Sequence, residues 1–160
     1  MALRTLRTVG DDILHKISKP VAEITDSTCQ LLDDMLETMY HESGCGLAAV
    51  QIGILRRILV IDTGEEDSQP IEFINPEILS NEGDQEGWEG CLSIPGQSGL
   101  VERPLVTVVK ALDRHGKEFE LRCEGRLAVI FNHELDHLNG ILYTEKAIEI
   151  QESDNNEDED

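Results

Sequence analysis

Two histidines one helical turn apart are the residues of this chain whose types and spacing most directly suggest chemistry. His133 and His137 enclose Glu134 and Asp136 in the pentapeptide HELDH. If this segment is helical, both histidine side chains project from one face and can reach the same cation. Glu134 lies one step around the helix, where it could act as a general base toward water at that cation. The pentapeptide therefore predicts a metal site with a carboxylate beside it.

A catalytic metal site of this kind needs a third protein ligand and one open coordination position. Downstream of the pentapeptide, Glu145 and Glu149 remain possible ligands. Upstream, Cys91 in the sequence EGCLS is a better candidate, because a thiolate is a good ligand for a soft or borderline metal. Taken alone, Cys91 would more often be a small buried hydrophobic residue, and only the histidine pair favours the ligand role.

A third segment, residues 44–51 with the sequence GCGLAAVQ, combines small residues with a terminal amide. One interpretation is a tight chain crossing that leaves Gln51 on the surface. The other is a backbone edge that binds a peptide, with the Gln51 side chain donating to an oxyanion. The segment by itself does not favour either interpretation.

Two helices must position these segments. The first is predicted from Asp26, with Asp26 or Ser27 as its cap, and it should end at Gly44 and Gly46. Its apolar stripe consists of Leu31, Leu32, Met35, Leu36 and Met39. The second helix is predicted over residues 125–138, ending before Gly140, and it carries the HELDH segment. Its apolar residues cover much of its circumference, so we expect this helix to be buried.

The remaining periodic segments predict β-structure. Residues 57–62 read as a buried strand, and residues 71–74 and 77–80 as two short strands interrupted by an Asn-Pro pair. Residues 105–122 predict a hairpin that turns at the sequence DRHG. The expected fold class is therefore α+β, with antiparallel β-sheets around a central metal-binding C-terminal helix and an N-terminal helix packed outside.

Composition limits the classes of partner. The chain has 160 residues, 39% of them apolar, and a formal net charge of −20, so it is long enough for one domain with its own core. This charge argues against binding to nucleic acid and to anionic membranes. No apolar run is long enough to span a membrane and the first residues lack a signal-peptide pattern, which predicts a cytoplasmic protein. Four dispersed cysteines agree with a reducing compartment.

Part of the acidic charge lies in a short segment at the end of the sequence. Residues 151–160 contain six acidic residues and no basic one. We therefore expect a folded domain over residues 1–148 and an acidic, disordered tail over residues 149–160. Such a tail could dock on a partner, but a solubilising role is the commoner one.

Taken together, the three motifs resemble those of the peptide deformylase family. This family carries a G-x-G-L-A-A-x-Q segment, an E-G-C-L-S segment and an H-E-x-D-H helix, which match residues 44–51, 89–93 and 133–137 in the same order. The resemblance implies an α+β metal-dependent hydrolase. It would remove the formyl group from the N-terminal formyl-methionine of newly synthesised polypeptides and release formate.

The resemblance also implies roles for individual residues. The metal ligands would be Cys91, His133 and His137. Water activated by the metal would attack the formyl carbon, with Glu134 as general acid and base. Gln51 and the backbone N–H of Leu92 would bind the developing oxyanion.

Substrate binding is assigned in the same way. Gly46 would hydrogen-bond the peptide backbone as in an added strand. Val129 and Ile130, one turn before the first histidine, would line the methionine pocket, and Trp88 would cover it. The implied cofactor is one divalent metal ion, with Fe²⁺ expected and Zn²⁺, Ni²⁺ or Co²⁺ also compatible with one thiolate and two imidazoles. The expected partners are nascent formyl-methionyl polypeptides, and the expected oligomeric state is a monomer.

Three positions depart from the family pattern. Asn132 precedes the metal-binding pentapeptide where Gln is more usual, and Ser98 stands where some relatives carry an arginine that contacts the peptide. Arg126 stands near the pocket where an apolar residue is common. Two rival classes, a zinc peptidase with a downstream third ligand and a structural metal protein, remain alternatives at this stage.

Overall fold

The computed structural model describes residues 2–152, which form two α-helices and eight β-strands. The helices are α1 (Asp26–His41) and α2 (Arg126–Leu138). The strands are β1 (Gly46–Ala48), β2 (Ile58–Ile61), β3 (Ile71–Glu82), β4 (Gln85–Cys91), β5 (Ile94–Arg103), β6 (Val106–Leu112), β7 (Glu118–Glu124) and β8 (Glu149–Glu152). Five strands form one sheet in the order β1-β2-β3-β6-β7, and three form a second in the order β4-β5-β8. Every pairing between these strands is antiparallel, which confirms the predicted α+β class.

The five-stranded sheet is covered by a helix on each face near β2. Ile58 and Val60 belong to the core cluster that contains the apolar stripe of α1. Leu59 and Ile61 belong to the cluster that contains the buried face of α2. Successive side chains of a strand point to opposite faces, so both faces of β2 are apolar. Because both faces of β2 are covered, its sequence is an uninterrupted apolar run even though the strand is antiparallel. As predicted, α1 packs on the outer face of the sheet and α2 on the inner face.

The first helix begins and ends at other residues than predicted. Its N-cap is Thr25, which is extended and whose N–H donates to Thr28 Oγ1 at 3.1 Å, so the predicted caps Asp26 and Ser27 are wrong. At the other end, Ser43 adopts a left-handed conformation with φ of 58°. The helix therefore stops at His41, before the two glycines that were predicted to end it.

One long strand replaces the two short strands predicted around Asn75. Asn75 has φ of 53°, which inserts an irregularity, and the pairing of β3 with β6 resumes at Glu77. The Asn75 amide donates to the Val21 carbonyl oxygen and accepts from the Val21 N–H, at 2.9 and 2.8 Å. The Asn-Pro pair thus forms a bulge and does not interrupt the strand.

The hairpin predicted over residues 105–122 is confirmed as β6 and β7. Asp113 accepts hydrogen bonds from the N–H groups of His115 and Lys117, and Gly116 has φ of 80°. By contrast, the β4–β5 hairpin was not predicted, because its glycine-rich sequence lacks a sustained apolar alternation.

The second helix lies within the core, as expected. Gly125 is its N-cap, and every residue from Phe131 to Leu138 is buried. It ends at Leu138, and Gly140 follows with φ of 76°. A side chain at Gly140 would meet the carbonyl oxygen of His15 at 2.6 Å, so both the conformation and the close approach require glycine there.

The folded domain extends past the boundary predicted after residue 148. Strand β8 pairs with β5 in the register Gln97↔Glu152 to Leu100↔Glu149, although its four residues are exposed. Backbone hydrogen bonds to a neighbouring strand do not require apolar side chains. The prediction from composition that residues 149–152 belong to a disordered tail is therefore wrong. Residues 153–160, the rest of the predicted disordered tail, lie outside the described residues. Between residues 2 and 152, neither helix is long and apolar enough to cross a membrane.

Candidate active site

The three predicted ligand residues come together between β4 and α2. Cys91 ends β4, while His133 and His137 lie one turn apart on α2. One ligand atom from each residue falls within 4.8 Å of the others, and Cys91 Sγ lies 3.3 Å from His137 Nε2. His133 and His137 are 8% and 1% exposed, respectively. This group can hold one metal ion, since a thiolate and two imidazoles suit a borderline cation.

A carboxylate fixes the orientation of one ring. Glu89 Oε1 accepts a hydrogen bond from His133 Nδ1 at 2.9 Å, so Nε2 is left to face the thiol. Arg103 donates to both oxygens of Glu89, from Nε at 2.8 Å and from Nη2 at 2.9 Å. This arrangement, in which a carboxylate holds a metal-binding histidine, is usual around metal sites.

Arg103 also connects the site to α2. Its Nη1 donates to Asp136 Oδ2 at 2.7 Å, and Lys146 lies 3.0 Å from the same oxygen. Arg103 is only 3% exposed, so its charge is compensated by two carboxylates instead of water. The sequence analysis missed Arg103. The only local signal is that Arg103 lies two residues after the buried Val101 on β5 and therefore points to the same face of the sheet.

The electrostatics of the site favour a cation. Burial opposes ionisation of Glu89, but hydrogen bonds from Arg103 and His133 outweigh it and keep its pKa low. Burial also opposes protonation of His133, yet hydrogen bonds to Cys91 and Glu89 raise its pKa to about 10. Burial, and then the charges of His133 and Arg103, hold the pKa of His137 well below its usual range. Metal ligation requires both imidazoles to be neutral, so a cation that binds here would take the place of the proton on His133, while His137 is already neutral.

Glu134 is buried beside this group. Burial is the largest influence on its carboxyl, and it raises the pKa to about 7. Its Oε1 contacts no hydrogen-bonding partner among the residues described, and it belongs to a side chain that lines a cavity. A carboxyl group with a pKa near neutrality can both accept and release a proton under ordinary conditions.

Gln51 lies inside the protein, in a short 3-10 helix (Ala49–Ile52) that follows β1. Its Oε1 accepts from the Ala48 N–H at 2.9 Å, which fixes the orientation of the amide. Its Nε2 then donates to Ser93 Oγ at 3.1 Å and points at Cys91 Sγ, 3.7 Å away. The surface interpretation of Gln51 is therefore wrong. Sequence reasoning had also overlooked Ser93, which lies in the EGCLS motif.

A cavity of about 600 Å³ opens onto these residues between β1, β4 and α2. It is lined by the predicted site residues Gly46, Gln51, Trp88, Cys91, Leu92, Val129, Ile130, His133 and Glu134. His137 is not among the lining residues, and Trp88 lines the cavity while 47% exposed. The structure thus brings the predicted site residues together, while their chemical roles stay predictions.

The three departures from the family pattern occupy different places. Asn132 donates to Thr107 Oγ1 at 2.9 Å, so its amide joins α2 to β6. Ser98 pairs with Gln151 of β8 and does not line the cavity. Arg126 does line the cavity, and its Nη2 donates to Cys45 Sγ at 2.9 Å.

This fold and site define an α+β hydrolase with a metal-capable Cys-His-His group beside a buried carboxyl. Residues 3–153 match the family model for polypeptide deformylase. The chain is 55% identical over 147 residues to the peptide deformylase of Lachnoclostridium phytofermentans, covering 92% of this chain and 90% of the relative. It is 52% identical over 157 residues to that of Thermoanaerobacter pseudethanolicus, covering 98% and 97%. The chain belongs to the peptide deformylase family and is an enzyme of that class.

Solved structures agree with this assignment. The crystal structure of a peptide deformylase from Legionella pneumophila matches with a TM-score of 0.88 and 46% identity, over 91% of this chain and 86% of that one. The peptide deformylase of Thermotoga maritima matches with a TM-score of 0.89 and 38% identity, over 93% of this chain and all of the other (100%). These matches confirm both the fold class and the family resemblance.

Proposed function

We propose that this enzyme hydrolyses the formyl group from the N-terminal formyl-methionine of newly synthesised polypeptides and releases formate. The observation that carries the proposal is the Cys-His-His group, whose two histidines are buried, with Glu134 beside it, at a cavity that a small acyl group could enter. The relatives named above are called peptide deformylases, which supports this substrate class.

We propose that Cys91, His133 and His137 hold one divalent metal ion. The fit is supported by the Glu89 hydrogen bond that directs His133 Nε2 toward the thiol, and by the low pKa of His137. When bound, the metal would supply Lewis acidity, which lowers the pKa of water and polarises a carbonyl group.

Glu134 would move the proton. In its ionised form it accepts a proton from the attacking water, and it then delivers that proton to the amine that leaves as the formyl C–N bond breaks. A pKa of about 7, raised by burial, suits both halves of this transfer. Of the two protons of water, Glu134 carries one to the leaving nitrogen. The other stays on the attacking oxygen as formic acid and passes to the free amine or to solvent, which leaves formate and an N-terminal methionine.

Gln51 and the backbone N–H of Leu92 would bind the oxygen that becomes negative during the attack. The amide of Gln51 is already oriented by the Ala48 N–H, so little reorganisation is needed when the charge develops. Donors that meet the oxygen mainly as it becomes charged favour the transition state over the bound substrate.

The substrate would bind along β1 and α2. Gly46 would hydrogen-bond the peptide backbone in the manner of an added strand. The methionine side chain would pack on Val129 and Ile130, which line the cavity, and Trp88 would lie over its mouth. Binding the rest of the peptide places the formyl carbon beside Glu134.

A single assay tests the function. The wild-type enzyme should release formate from formyl-Met-Ala-Ser, and Glu134→Gln should lower kcat by roughly a thousandfold or more while the metal content stays unchanged. Cys91→Ser should lose metal, whereas Glu149→Gln, a matched change at the alternative downstream ligand, should keep both metal and activity. Metal-loaded wild-type enzyme that releases no formate, or that cleaves unformylated peptides instead, would refute the proposal.

We propose Fe²⁺ as the metal in the cell, because the family resemblance points to it and the donor set accepts it as well as Zn²⁺, Ni²⁺ or Co²⁺. Protein purified without oxygen should contain stoichiometric iron by elemental analysis. Peroxide should inactivate the iron form faster than a nickel-substituted form, because Fe²⁺ reacts with peroxide. Stoichiometric zinc with little iron in the anaerobic preparation would contradict this assignment.

We further propose that a monomer in the cytoplasm carries out the reaction on nascent formyl-methionyl polypeptides. Sedimentation of the metal-loaded enzyme should give the mass of one chain, 17.9 kDa, and a dimer at assay concentrations would count against this.

A further inference from the structure

Arg126 extends the cavity-lining face of α2 beyond the predicted site residues. It is the first residue of the helix, and the spacing to Val129, Ile130, His133 and Glu134 keeps all of them on one face. All five residues line the cavity. The helix rises 1.5 Å per residue, so the backbone of Arg126 lies about 10 Å from that of His133 along the helix axis.

The guanidinium of Arg126 has donors left for a ligand. Its one hydrogen bond within residues 2–152 goes from Nη2 to Cys45 Sγ, and a thiol is a weak acceptor. Other arginines of the chain donate to carboxylates, namely Arg4, Arg7, Arg103, Arg114 and Arg122. No carboxylate in the described part of the chain lies within ion-pair distance of Arg126, so a peptide carboxylate would meet no competitor there.

Its surroundings make this charge unusual. The carboxylates along the cavity include Glu86 and Glu89, the latter already paired with Arg103. The whole chain carries a net charge of −20, which repels acidic peptides in general. Among the described residues, Arg126 is the one permanently cationic side chain that lines the cavity. Arg126 is therefore the cationic side chain available to an acidic substrate residue that lies away from the Cys-His-His group.

The position of Arg126 selects one residue of the substrate. In an extended peptide the side chains of the first and third residues point the same way and lie about 7 Å apart. If the methionine side chain packs on Val129 and Ile130, the third side chain falls toward Arg126, which is one turn, or about 5 Å, further along the helix. The second side chain points away from this face.

We propose that Arg126 is a specificity-determining residue that binds an acidic side chain at the third residue of the formyl peptide. This inference rests on the proposed deformylase function. The ion pair forms in bound substrate and at some distance from the reacting bond, so it should lower KM and leave kcat nearly unchanged.

The test compares formyl-Met-Ala-Asp-Ala-amide with its Asn and Lys counterparts, since the terminal amide removes the only other carboxylate. Wild-type enzyme should show a KM about two- to fivefold lower for Asp than for the isosteric Asn peptide, and a higher KM for Lys. The difference should shrink at high salt. Arg126→Gln should abolish the preference, and Arg126→Glu should reverse it toward Lys. Arg56→Gln removes the same charge at an exposed residue outside the cavity and should keep the preference.

Equal KM values for the Asp and Asn peptides in the wild-type enzyme would overturn the proposal, as would a preference that survives in Arg126→Gln. An equal effect of Asp at the second residue would overturn the assignment to the third. Failure of the proposed function is distinguishable from both, because the wild-type enzyme would then release no formate from formyl-Met-Ala-Ser.

Discussion

Gly46 and Glu134 are packed so closely that a side chain at the glycine would require Glu134 or Ile130 to move. A methyl group at Gly46 would lie 2.8 Å from Glu134 Oε2 and 2.9 Å from Ile130 Cγ2. Strand β1 therefore touches α2 at the carboxyl group that we propose moves the proton. Because Gly46 has no side chain, the carboxyl group of Glu134 can lie directly against β1.

Gly46→Ala should displace Glu134 and reduce formate release. A displacement of about 1 Å at a reacting group costs on the order of a hundredfold in rate, so kcat/KM should fall by about that factor. Gly87→Ala is a matched control, because Gly87 also lines the cavity but has no atom within 4 Å of an added methyl group. Unchanged kcat/KM in Gly46→Ala, or an equal loss in Gly87→Ala, would contradict this explanation.

Arg103→Met should strongly destabilise the fold, because it leaves the carboxylates of Glu89 and Asp136 buried without their main partner. Breaking a buried charge pair in this way costs about 3–5 kcal/mol of the free energy of unfolding. Urea denaturation should show this loss, with Arg103→Lys falling between the variant and the wild type. The control is Arg122→Met, which removes an exposed ion pair with Glu124 and should cost less than about 1 kcal/mol. Similar losses in the two methionine variants would count against a special role of the buried arginine.

Asp34 should make the stability of the fold depend on pH. Burial opposes its ionisation, but hydrogen bonds from the Ala2 N–H, Gln30 and Arg4 outweigh it and hold its pKa below the usual 3.8. A carboxyl whose pKa is lower in the folded than in the unfolded state stabilises the fold above its unfolded pKa. That contribution is lost as the pH falls through the folded pKa. Asp34→Asn should therefore be less stable than the wild type at pH 6.

This difference in the free energy of unfolding should narrow below about pH 4, where the wild-type carboxyl begins to take up its proton during unfolding. Urea denaturation of both proteins between pH 3 and pH 6 measures it, and effects of all other titrating groups cancel in the comparison. A difference that stays constant over this range would show that the charge of Asp34 does not stabilise the fold.

Residue spacing correctly predicted those features that depend only on the geometry of a single helix. The spacing of His133 and His137 places both on one face of any helix, and the apolar stripe around Met35 identifies the buried side of α1. The same reasoning failed at Asn75, since a single left-handed residue can be absorbed as a bulge, and at Glu149–Glu152, where pairing with β5 orders exposed acidic residues. In both cases a neighbouring strand supplied hydrogen bonds that the segment's own sequence does not encode.

The amino-acid sequence was enough to identify the family, the fold class, the two histidines with their intervening glutamate, and the buried helix that carries them. The motif around Cys91 also favoured it as the third ligand, and the packing of the elements brings it to the histidines. The burial of Gln51, with its amide aimed at the thiol, and the link that Arg103 makes between Glu89 and α2 became visible only in the folded structure. The physical reason is that helix spacing follows from bond geometry within a few residues. Contacts between β4, β5 and α2 depend instead on how elements far apart in sequence pack against each other.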